Sequence, residues 1–460
     1  MKVLVIGSDG MSPILVEKWI EKLPTLRKIK KEGILGKTIP PIPAQTPVAW
    51  TTFMTGVNPG KHGIFSFTTR KIGTYKRKIN TPDKIKTKTL WKILSEHGKR
   101  VGVINVPMSR TENLNGFIIP GFLAKREGIP YPSRVREKLR KKFKIKRFIG
   151  DVETKVLQEV KEEPDKFFER VNEITDMQAD ISLFLLEEEK WDFFMTVFMG
   201  TDRIQHFFWK NVDENHPEYE RNEFTFKVEK YYQKMDKIIS EFLKNIDLEE
   251  TFFIFLSDHG FCPVHSEVLV NCLLYKQGFA KGGTEGNIDD ENSIAVAYEY
   301  GDIWLNLEGR EPNGKVQAKE YNNTVQKIKE HLEKIEVDGQ KIVKNIVTRE
   351  VYWGPYVNDA PDLIILFNPG WQASRSKAKK YIDGKCIIRS ERWSGGHDGT
   401  HDPKDVPGIL ALLGSNVSSV LKTEVNLYDL TPTVLKVLEV SVPSYIDGKP
   451  IWHGDTNFTT

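Results

Sequence analysis

The stretch KVLVIGSDG, residues 2–10, decides the fold, because a short apolar run ends there in glycine, serine and aspartate. Such a run is typical of a strand buried on both faces of a parallel sheet. Four further runs repeat the pattern, namely RVGVINV (100–106), FFMTVFMG (193–200), TFFIFLS (251–257) and GILALLG (408–414). We therefore expect these five runs to be core strands of one mostly parallel sheet.

Amphipathic segments alternate with these runs, and their apolar residues recur at helical spacing. The clearest of them are residues 13–22, 88–98, 163–190 and 226–246. Strands that alternate with helices predict an α/β fold in which helices flank a mostly parallel central sheet.

The pattern changes between residues 263 and 392 to hairpin-like strands, one charged helix and turns rich in glycine and proline. We therefore predict a core in two parts, residues 1–262 and 393–460, with an inserted α+β cap at 263–392. A smaller helical insertion is expected within the first part, at about 110–190.

Composition and charge are those of an ordinary soluble protein. The net charge is only +4, so bulk charge gives no reason to expect a nucleic acid polymer as a partner. Nine Lys or Arg lie between Arg134 and Arg147, where a solvated helix face is a simpler interpretation than a landing site for an anionic ligand or a membrane. No apolar run reaches the roughly 20 residues that a membrane-spanning helix needs.

The three cysteines, Cys262, Cys272 and Cys386, have no spacing typical of a metal site. Their odd number argues against a disulfide framework, so a reducing compartment is the simplest expectation. No apolar segment with a cleavage site follows Met1. We therefore expect a soluble, cytoplasmic protein.

Three of the apolar runs end in the same chemical way. Asp9 follows the first run, Asp202 follows the run at 193–200, and Asp258 with His259 follows the run at 251–257. The carboxyl ends of parallel strands form one edge of an open sheet, where ligands bind, so these side chains can converge. Singly, each is most simply a turn or capping residue; their joint occurrence favours a metal site, and carboxylates with imidazoles suit zinc or manganese.

Asp202 and His206 are four residues apart, so a helix that begins at Asp202 would place both on one face and let them hold one ion. The alternative is that Asp202 caps the helix while His206 packs beneath aromatic residues. A further imidazole is offered by WSGGHDGTH, residues 393–401, through either His397 or His401. We slightly favour His397.

The segment PPIPAQTPVAWTTFMTG, residues 40–56, predicts a helix start with Thr46 at the N-cap and Pro47 in the first turn. One interpretation is that Thr46 only caps the helix. The other is that the backbone N–H groups and the positive end of the helix dipole face a phosphate beside the Thr46 hydroxyl. That hydroxyl ionises too weakly near neutral pH to act unaided, so a cation is expected to activate it as a nucleophile.

Other sequence motifs for phosphate binding, nucleotide binding and hydrolysis do not match this chain. GVNPGKHG, residues 56–63, has three residues between Gly56 and Gly60 where a phosphate loop has four, and His62 replaces the Ser or Thr that would bind magnesium. The chain has neither a G-x-S-x-G elbow nor a G-x-G-x-x-G sequence after a strand, which argues against serine hydrolases and dinucleotide-binding proteins.

Taken together, these motifs resemble the type I phosphodiesterase/nucleotide pyrophosphatase family of the alkaline phosphatase superfamily. The resemblance rests on GSDG (7–10), TPVAWTTFMTGVNPGKHGIF (46–65), GTDRIQH (200–206), SDHG (257–260), the late Gly-His segment and LYDLTPTVLKVLEV (427–440). It implies an alkaline-phosphatase-like core and a two-metal site. One ion is then surrounded by Asp9, Thr46, Asp258 and His259, and the other by Asp202, His206 and the late histidine.

The resemblance implies a hydrolase that cleaves phosphodiester or pyrophosphate bonds through a phospho-threonine intermediate at Thr46, with two divalent cations, zinc or manganese. A phosphomonoesterase, a phosphonate hydrolase or a phosphomutase of the same superfamily is the alternative, because the same metal chemistry serves all of them and the cap selects the leaving group. A non-catalytic anion-binding relative is a more distant alternative. The expected partner is a small phosphorylated substrate such as a phosphodiester, a nucleotide or a phospho-sugar.

Overall fold

Eight strands form one central sheet in the computed structural model, which describes residues 1–71, 73–124, 128–144, 151, 157, 160–298, 300–375, 380, 385–397, 399–415, 417 and 422–451. In chain order they are β1 (Lys2–Ser8), β2 (Ile34–Ile39), β3 (Val101–Ile104), β4 (Gly116–Ile119), β5 (Phe193–Phe198), β6 (Thr251–Leu256), β7 (Gly408–Leu413) and β8 (Glu424–Asn426). Their order across the sheet is β8-β2-β7-β6-β1-β5-β3-β4. Among these strands only β7 runs antiparallel to its neighbours, so the predicted mostly parallel sheet is confirmed.

Helices cover both faces of this sheet. The described residues form twelve α-helices, namely α1 (Pro13–Lys18), α2 (Pro24–Glu32), α3 (Thr46–Thr55), α4 (Pro59–His62), α5 (Leu90–Glu96), α6 (Ser133–Phe143), α7 (Pro164–Glu188), α8 (Gly200–Phe208), α9 (Glu223–Lys244), α10 (Val270–Lys276), α11 (Tyr321–Leu332) and α12 (Leu430–Val437). Leu4 and Ile6 of β1 pack with α2, α7 and α9, whereas Val3 and Val5 pack with α3, α5 and α12. Because both faces are covered, the strands are continuous apolar runs rather than alternating ones.

Residues 110–190, predicted as a helical insertion, contribute to the sheet and to its core. Strand β4 lies within this range and pairs in parallel with β3 at the edge of the sheet. Helix α7 also lies within it, and Phe167 and Leu185 of that helix are fully buried in the cluster on one sheet face. This part of the chain therefore supports the strands that lead to the candidate site.

The basic stretch forms the amphipathic helix α6, except that residues 145–147 lie outside the described residues. Val135 and Leu139 are buried, while Arg134 is exposed and pairs with Glu189. This agrees with the interpretation of the stretch as a solvated helix face. Within the part of the chain that the structure describes, no helix combines the length and the apolar character needed to cross a membrane.

Residues between β6 and β7 build separate sheets. The strand Cys262–Val268 pairs in parallel with Gly370–Ala373 and antiparallel with Ile387–Arg389 and Gly395–Gly396. A four-stranded antiparallel sheet has the order Ala295–Ala297, Asp302–Leu305, Leu363–Phe367 and Val343–Thr348. Two further pairs in this region are short, Lys281–Gly282 with Ile288–Asp289 and Glu336–Val337 with Gln340–Lys341. A third short pair, Thr68–Arg70 with Arg77–Ile79, lies earlier in the chain, between α4 and α5. We keep the name cap for residues 263–392, whose apolar side chains form a cluster of their own with α10 and α11.

A disulfide between Cys272 and Cys386 cross-links two distant parts of the cap, so the sequence argument against a disulfide was wrong. The odd count concealed the pair, because the third cysteine, Cys262, is free and buried. The bond links α10 to a residue 114 positions further along the chain. The number of cysteines therefore gives no support for a reducing compartment.

We expect replacement of both bonded cysteines, Cys272→Ser with Cys386→Ser, to lower the stability of the protein. The bond closes a long loop in the unfolded chain, and loss of such a bond typically costs about 2–5 kcal/mol. Thermal unfolding with and without reductant measures the effect. Reductant should lower the Tm of the wild type and of Cys262→Ser but leave the double variant unchanged; equal Tm values for all forms would contradict the prediction.

Candidate metal centre

The sheet topology brings the predicted site residues to one edge. Strands β5, β1 and β6 are adjacent and parallel, so their carboxyl ends lie side by side. Asp9 follows β1, α8 with Asp202 follows β5, and Asp258 with His259 follows β6. Because β7 is antiparallel, the segment before it arrives at this same edge, where Gly260 N–H donates to Val406 O at 2.8 Å. This brings the late histidines close to the other residues.

The first of two groups of candidate ligands consists of Asp202, His206 and His397, all buried. Helix α8 begins at Gly200, so Asp202 and His206 share one face, as the spacing predicts. Asp202 Oδ1 lies 3.5 Å from His206 Nε2 and 3.1 Å from His397 Nε2. The other ring nitrogens face backbone carbonyls: His206 Nδ1 lies 3.1 Å from Gly395 O and His397 Nδ1 lies 2.8 Å from Ala44 O. Such contacts orient Nε2 towards an ion.

The second group consists of Asp9, Asp258 and His259, also buried. His259 Nε2 lies 3.3 Å from Asp258 Oδ2 and 3.7 Å from Asp9 Oδ1. Donors outside the group hold the two carboxylates, because Trp50 Nε1 donates to Asp9 Oδ2 at 2.8 Å and Gly10 N donates to Asp258 Oδ1 at 3.2 Å. The two groups adjoin, since the rings of His259 and His397 stack with centroids 3.5 Å apart.

Thr46 lies against the second group. Its Oγ1 is 3.5 Å from both Asp9 Oδ1 and His259 Nε2, and the residue is 3% exposed. The predicted N-cap position is corrected by one residue: Gln45 is the N-cap of α3, and Thr46 is the first helical residue, followed by Pro47. The hydroxyl therefore sits at the positive end of the helix, where the first N–H groups and the helix dipole favour an anion.

The donor atoms of both groups fit divalent cations. Ligands held about 2.0–2.1 Å from a tetrahedral ion lie roughly 3.3 Å from one another, and the spacings here run from 3.1 to 3.7 Å. Two carboxylate oxygens, Asp202 Oδ1 and Asp258 Oδ2, are buried without a hydrogen-bond partner among the described residues. A buried carboxylate without such a partner calls for another source of positive charge.

The pKa shifts of these side chains also favour bound cations. Burial, together with the neighbouring carboxylates, raises the pKa of Asp9 and Asp258 well above the ordinary value. Burial also acts to raise the pKa of Asp202, but His206, His397 and Arg203 hold it well below that value. Burial lowers the pKa of His206 and His259, so both imidazoles readily give up a proton when a metal ion binds, as metal ligands must.

Of the two late histidines, the structure brings His397 to Asp202. His401 is fully buried, and burial lowers its pKa to about 4. It forms an isolated bridge with Phe367 and belongs to neither group of candidate ligands among the described residues. The geometry therefore agrees with the preference for His397 over His401.

Sequence reasoning missed residues that position the candidate ligands. Trp50 donates to Asp9, and Gln205 Nε2 donates to Gly10 O at 2.7 Å. Gly10 itself has a φ of +68°, and a Cβ there would lie 2.7 Å from Phe261 and 3.1 Å from Asp202 Cα, so glycine is required. The sequence signal for Gln205 was its place beside His206 in an apolar helix. Trp50 gave no such signal, because a tryptophan in an apolar helix such as α3 is most simply interpreted as a core residue.

The solved structures that resemble this chain share its fold. Human ectonucleotide pyrophosphatase/phosphodiesterase 5 has 14% identity and a TM-score of 0.58, covering 98% of this chain and 97% of its own. Phosphonoacetate hydrolase from Sinorhizobium meliloti 1021, in complex with phosphonoformate, has 15% identity and a TM-score of 0.59, covering 95% and 96%. An inactive threonine-to-alanine form of the murine phosphodiesterase 5, in complex with AMP, has 14% identity and a TM-score of 0.56, covering 96% of each chain.

A comparison with curated proteins gave no match. A family model, by contrast, covers most of the sequence. The model of the type I phosphodiesterase/nucleotide pyrophosphatase family matches residues 3–402, which include both groups of candidate ligands and Thr46. The chain therefore belongs to the type I phosphodiesterase/nucleotide pyrophosphatase family of hydrolases.

Proposed function

We propose that this protein is a metal-dependent hydrolase that cleaves phosphodiester or pyrophosphate bonds with Thr46 as its nucleophile. The observation that carries the proposal is the position of the Thr46 hydroxyl, which lies at the start of α3 and 3.5 Å from both Asp9 Oδ1 and His259 Nε2. A hydroxyl at a helix N-terminus beside two groups of carboxylates and imidazoles suits attack on a phosphoryl group.

Two divalent cations are the proposed cofactors. Asp9, Thr46, Asp258 and His259 would hold one of them, and Asp202, His206 and His397 the other. When bound, such cations promote ionisation of a hydroxyl nucleophile and stabilise the charge that develops on the attacking and leaving oxygens. Mixed oxygen and nitrogen ligands suit zinc or manganese.

The residues of the chain orient and carry the transferred group. The first N–H groups of α3 and its dipole attract the phosphoryl oxygens, while Asp9 and His259 fix the side chain of Thr46. Thr46 Oγ1 forms a bond to phosphorus as the bond to the leaving oxygen breaks on the opposite side. Water then cleaves the phospho-threonine ester and restores the hydroxyl. The murine neighbour is inactive after a threonine-to-alanine change, which supports a threonine in this role.

Phosphonate hydrolysis is the second candidate function. The observation that favours it is the likeness to phosphonoacetate hydrolase, which reaches a TM-score of 0.60 in its complex with phosphonoacetate. A phosphomonoesterase or phosphomutase uses the same residue types. A non-catalytic anion-binding protein is disfavoured, because Thr46 and both groups of candidate ligands are present.

The partner and the division of the chain are also proposals. We infer a small phosphorylated substrate, since the neighbours are described in complex with AMP and phosphonoacetate. The cap would choose among substrates, while residues 1–262 and 393–460 supply the chemistry. A cytoplasmic location remains a proposal based on the sequence; with the Cys272–Cys386 bond it implies a cytoplasm that maintains disulfides, as in hyperthermophiles.

Removal of metal should abolish hydrolysis. Chelator-treated protein is expected to hydrolyse neither bis(p-nitrophenyl) phosphate nor inorganic pyrophosphate, and zinc or manganese should restore turnover of at least one. Product release measured with each metal tests this. Undiminished turnover after complete removal of metal, confirmed by elemental analysis, would contradict a metal-dependent mechanism. Turnover of a phosphonate alone would move the function to the second candidate.

Thr46→Ala should reduce turnover to background, because the substitution removes the attacking oxygen, while metal content stays close to that of the wild type. Loss of a covalent nucleophile costs several orders of magnitude in kcat. Thr46→Ser keeps the oxygen and should retain part of the activity. Thr55→Ala is the matched control, because Thr55 lies at the far end of α3 and donates to Thr51 O. Full activity of Thr46→Ala would contradict the assignment of Thr46 as the nucleophile.

His397→Ala should reduce bound metal from two ions per chain to one, whereas His401→Ala should leave two. The reason is that His397 lies 3.1 Å from Asp202 Oδ1, while His401 belongs to neither ligand group. The number of metal ions bound per chain after dialysis, measured by mass spectrometry, tests this prediction. The reverse result, with the ion lost only from His401→Ala, would exclude His397 as the late ligand.

A further inference from the structure

The two groups of candidate ligands are carried by backbone segments that touch each other. Residues 9–12, which we call the Asp9 loop, follow β1 and carry one ligand of the second group, while α8 carries Asp202 of the first group. The loop and the helix lie so close that a Cβ on Gly10 would be 3.1 Å from Asp202 Cα. The spacing between the two ligand groups therefore depends on how the Asp9 loop sits against α8.

The side-chain amide of Gln205, on α8, binds this loop. Gln205 is fully buried, and its Nε2 donates to Gly10 O at 2.7 Å and to Thr201 O at 3.0 Å. Its Oε1 accepts a hydrogen bond from the Tyr232 hydroxyl at 2.7 Å. An amide has two N–H hydrogens on one side and a carbonyl oxygen on the other. Two backbone carbonyls and one hydroxyl therefore permit a single orientation of this amide.

Tyr232 of α9 connects Gln205 to the far end of the Asp9 loop. Its hydroxyl donates its one hydrogen to Gln205, and the same oxygen accepts from Ser12 N at 3.1 Å. The residue is buried, and its ring packs edge-on against Trp19 with centroids 5.0 Å apart. Because packing holds the ring, the hydroxyl stays between Ser12 and Gln205.

A pair of hydroxyls joins the same two segments at a second place. Thr201 Oγ1, on α8, donates to Asp9 O, so its hydrogen bond with Ser8 Oγ at 2.8 Å must take its hydrogen from Ser8. Both side chains are buried. The Asp9 loop is thus tied to α8 through these hydroxyls as well as through Gln205.

These hydrogen bonds oppose a repulsion between the two segments. The negative charge of Asp202 acts on Asp9 across the contact and disfavours ionisation of that carboxyl. Every polar side-chain atom of Gln205 and Tyr232 is paired, so moving the loop away from α8 would leave buried groups without partners, which is costly. The hydrogen bonds of both side chains go to backbone groups and to each other, so they hold the segments together without adding charge to the ligand groups.

We propose that Gln205 and Tyr232 are positioning residues that set the spacing between the two cations by fixing the Asp9 loop against α8. This inference rests on the two-cation site of the proposed function and extends it, because it concerns the relation between the two ligand groups rather than the ligands of either. The spacing matters for the chemistry, since a pair of cations stabilises the attacking and the leaving oxygen only when each lies beside one of them.

Manganese-loaded protein tests the spacing without turnover, because the electron paramagnetic resonance spectrum of two adjacent Mn²⁺ ions differs from the sum of two isolated ones. The wild type should bind two Mn²⁺ per chain and give the spectrum of a coupled pair. Tyr232→Phe removes only the hydroxyl and should weaken binding of one of the two ions about 10- to 100-fold, the usual effect of losing a group that orients metal ligands. At saturating Mn²⁺ its coupling should be weaker than in the wild type. Gln205→Met, which keeps the length of the side chain, should act in the same way.

Tyr231→Phe is the matched control. Tyr231 is the neighbour of Tyr232 in α9 and is also buried, but its hydroxyl pairs with Thr175 Oγ1 of α7 at 2.8 Å rather than with the Asp9 loop. This variant should keep the wild-type affinity for both ions and the wild-type spectrum. Cooperative unfolding of the metal-free variants, measured by calorimetry, shows that a loss confined to Tyr232→Phe does not come from a failure to fold.

The possible outcomes separate this proposal from the proposed function. Wild-type affinity and coupling in Tyr232→Phe and Gln205→Met, or an equal loss in Tyr231→Phe, would overturn the positioning role and leave the proposed function intact. If the wild type holds a coupled pair that Tyr232→Phe disrupts, but hydrolyses neither bis(p-nitrophenyl) phosphate nor inorganic pyrophosphate, the proposed function fails and the positioning role stands. Fewer than two Mn²⁺ ions bound to the wild type would overturn both.

Discussion

Repulsion among buried carboxylates is the constraint on which the rest of this structure depends. Ligand atoms of Asp9 and Asp258 lie within 4.8 Å of one another. Two unit charges at such a distance repel by about 3–4 kcal/mol at an effective dielectric constant of about 20. Asp202 adds a third charge, and burial and this neighbour raise the pKa of both other groups. The carboxylates hold their positions because they follow strands that are buried on both faces, and divalent cations would offset the repulsion.

The positions of these carboxylates could be predicted because local pattern and topology agree. Each follows an apolar run, and β5, β1 and β6 are neighbours in the sheet, so the strand ends meet. The pair Asp202 and His206 was equally predictable, since helix geometry fixes residues four apart on one face. Helix starts were less certain: α3 begins at Thr46 rather than after it, because Pro47 is compatible with either of the first helical positions.

Features that depend on distant contacts could not be read from the sequence. Nothing in GILALLG marks β7 as antiparallel, yet its direction determines that His397 reaches the site edge. The distinction between His397 and His401 depends on the contact of His397 Nδ1 with Ala44 O, 353 residues away. The Cys272–Cys386 bond was hidden for the same reason, because pairing of distant cysteines follows from the fold of the cap rather than from their number.

The proposed chemistry and the proposed choice of substrate lie in different parts of the chain. Thr46 and the candidate ligands all lie outside the cap, on loops and helices anchored to the central sheet. The apolar residues of the cap form a separate cluster, which the Cys272–Cys386 disulfide cross-links. Neighbours described as an ectonucleotide pyrophosphatase/phosphodiesterase and as a phosphonoacetate hydrolase share this fold at 14–15% identity, so the fold by itself does not determine the substrate.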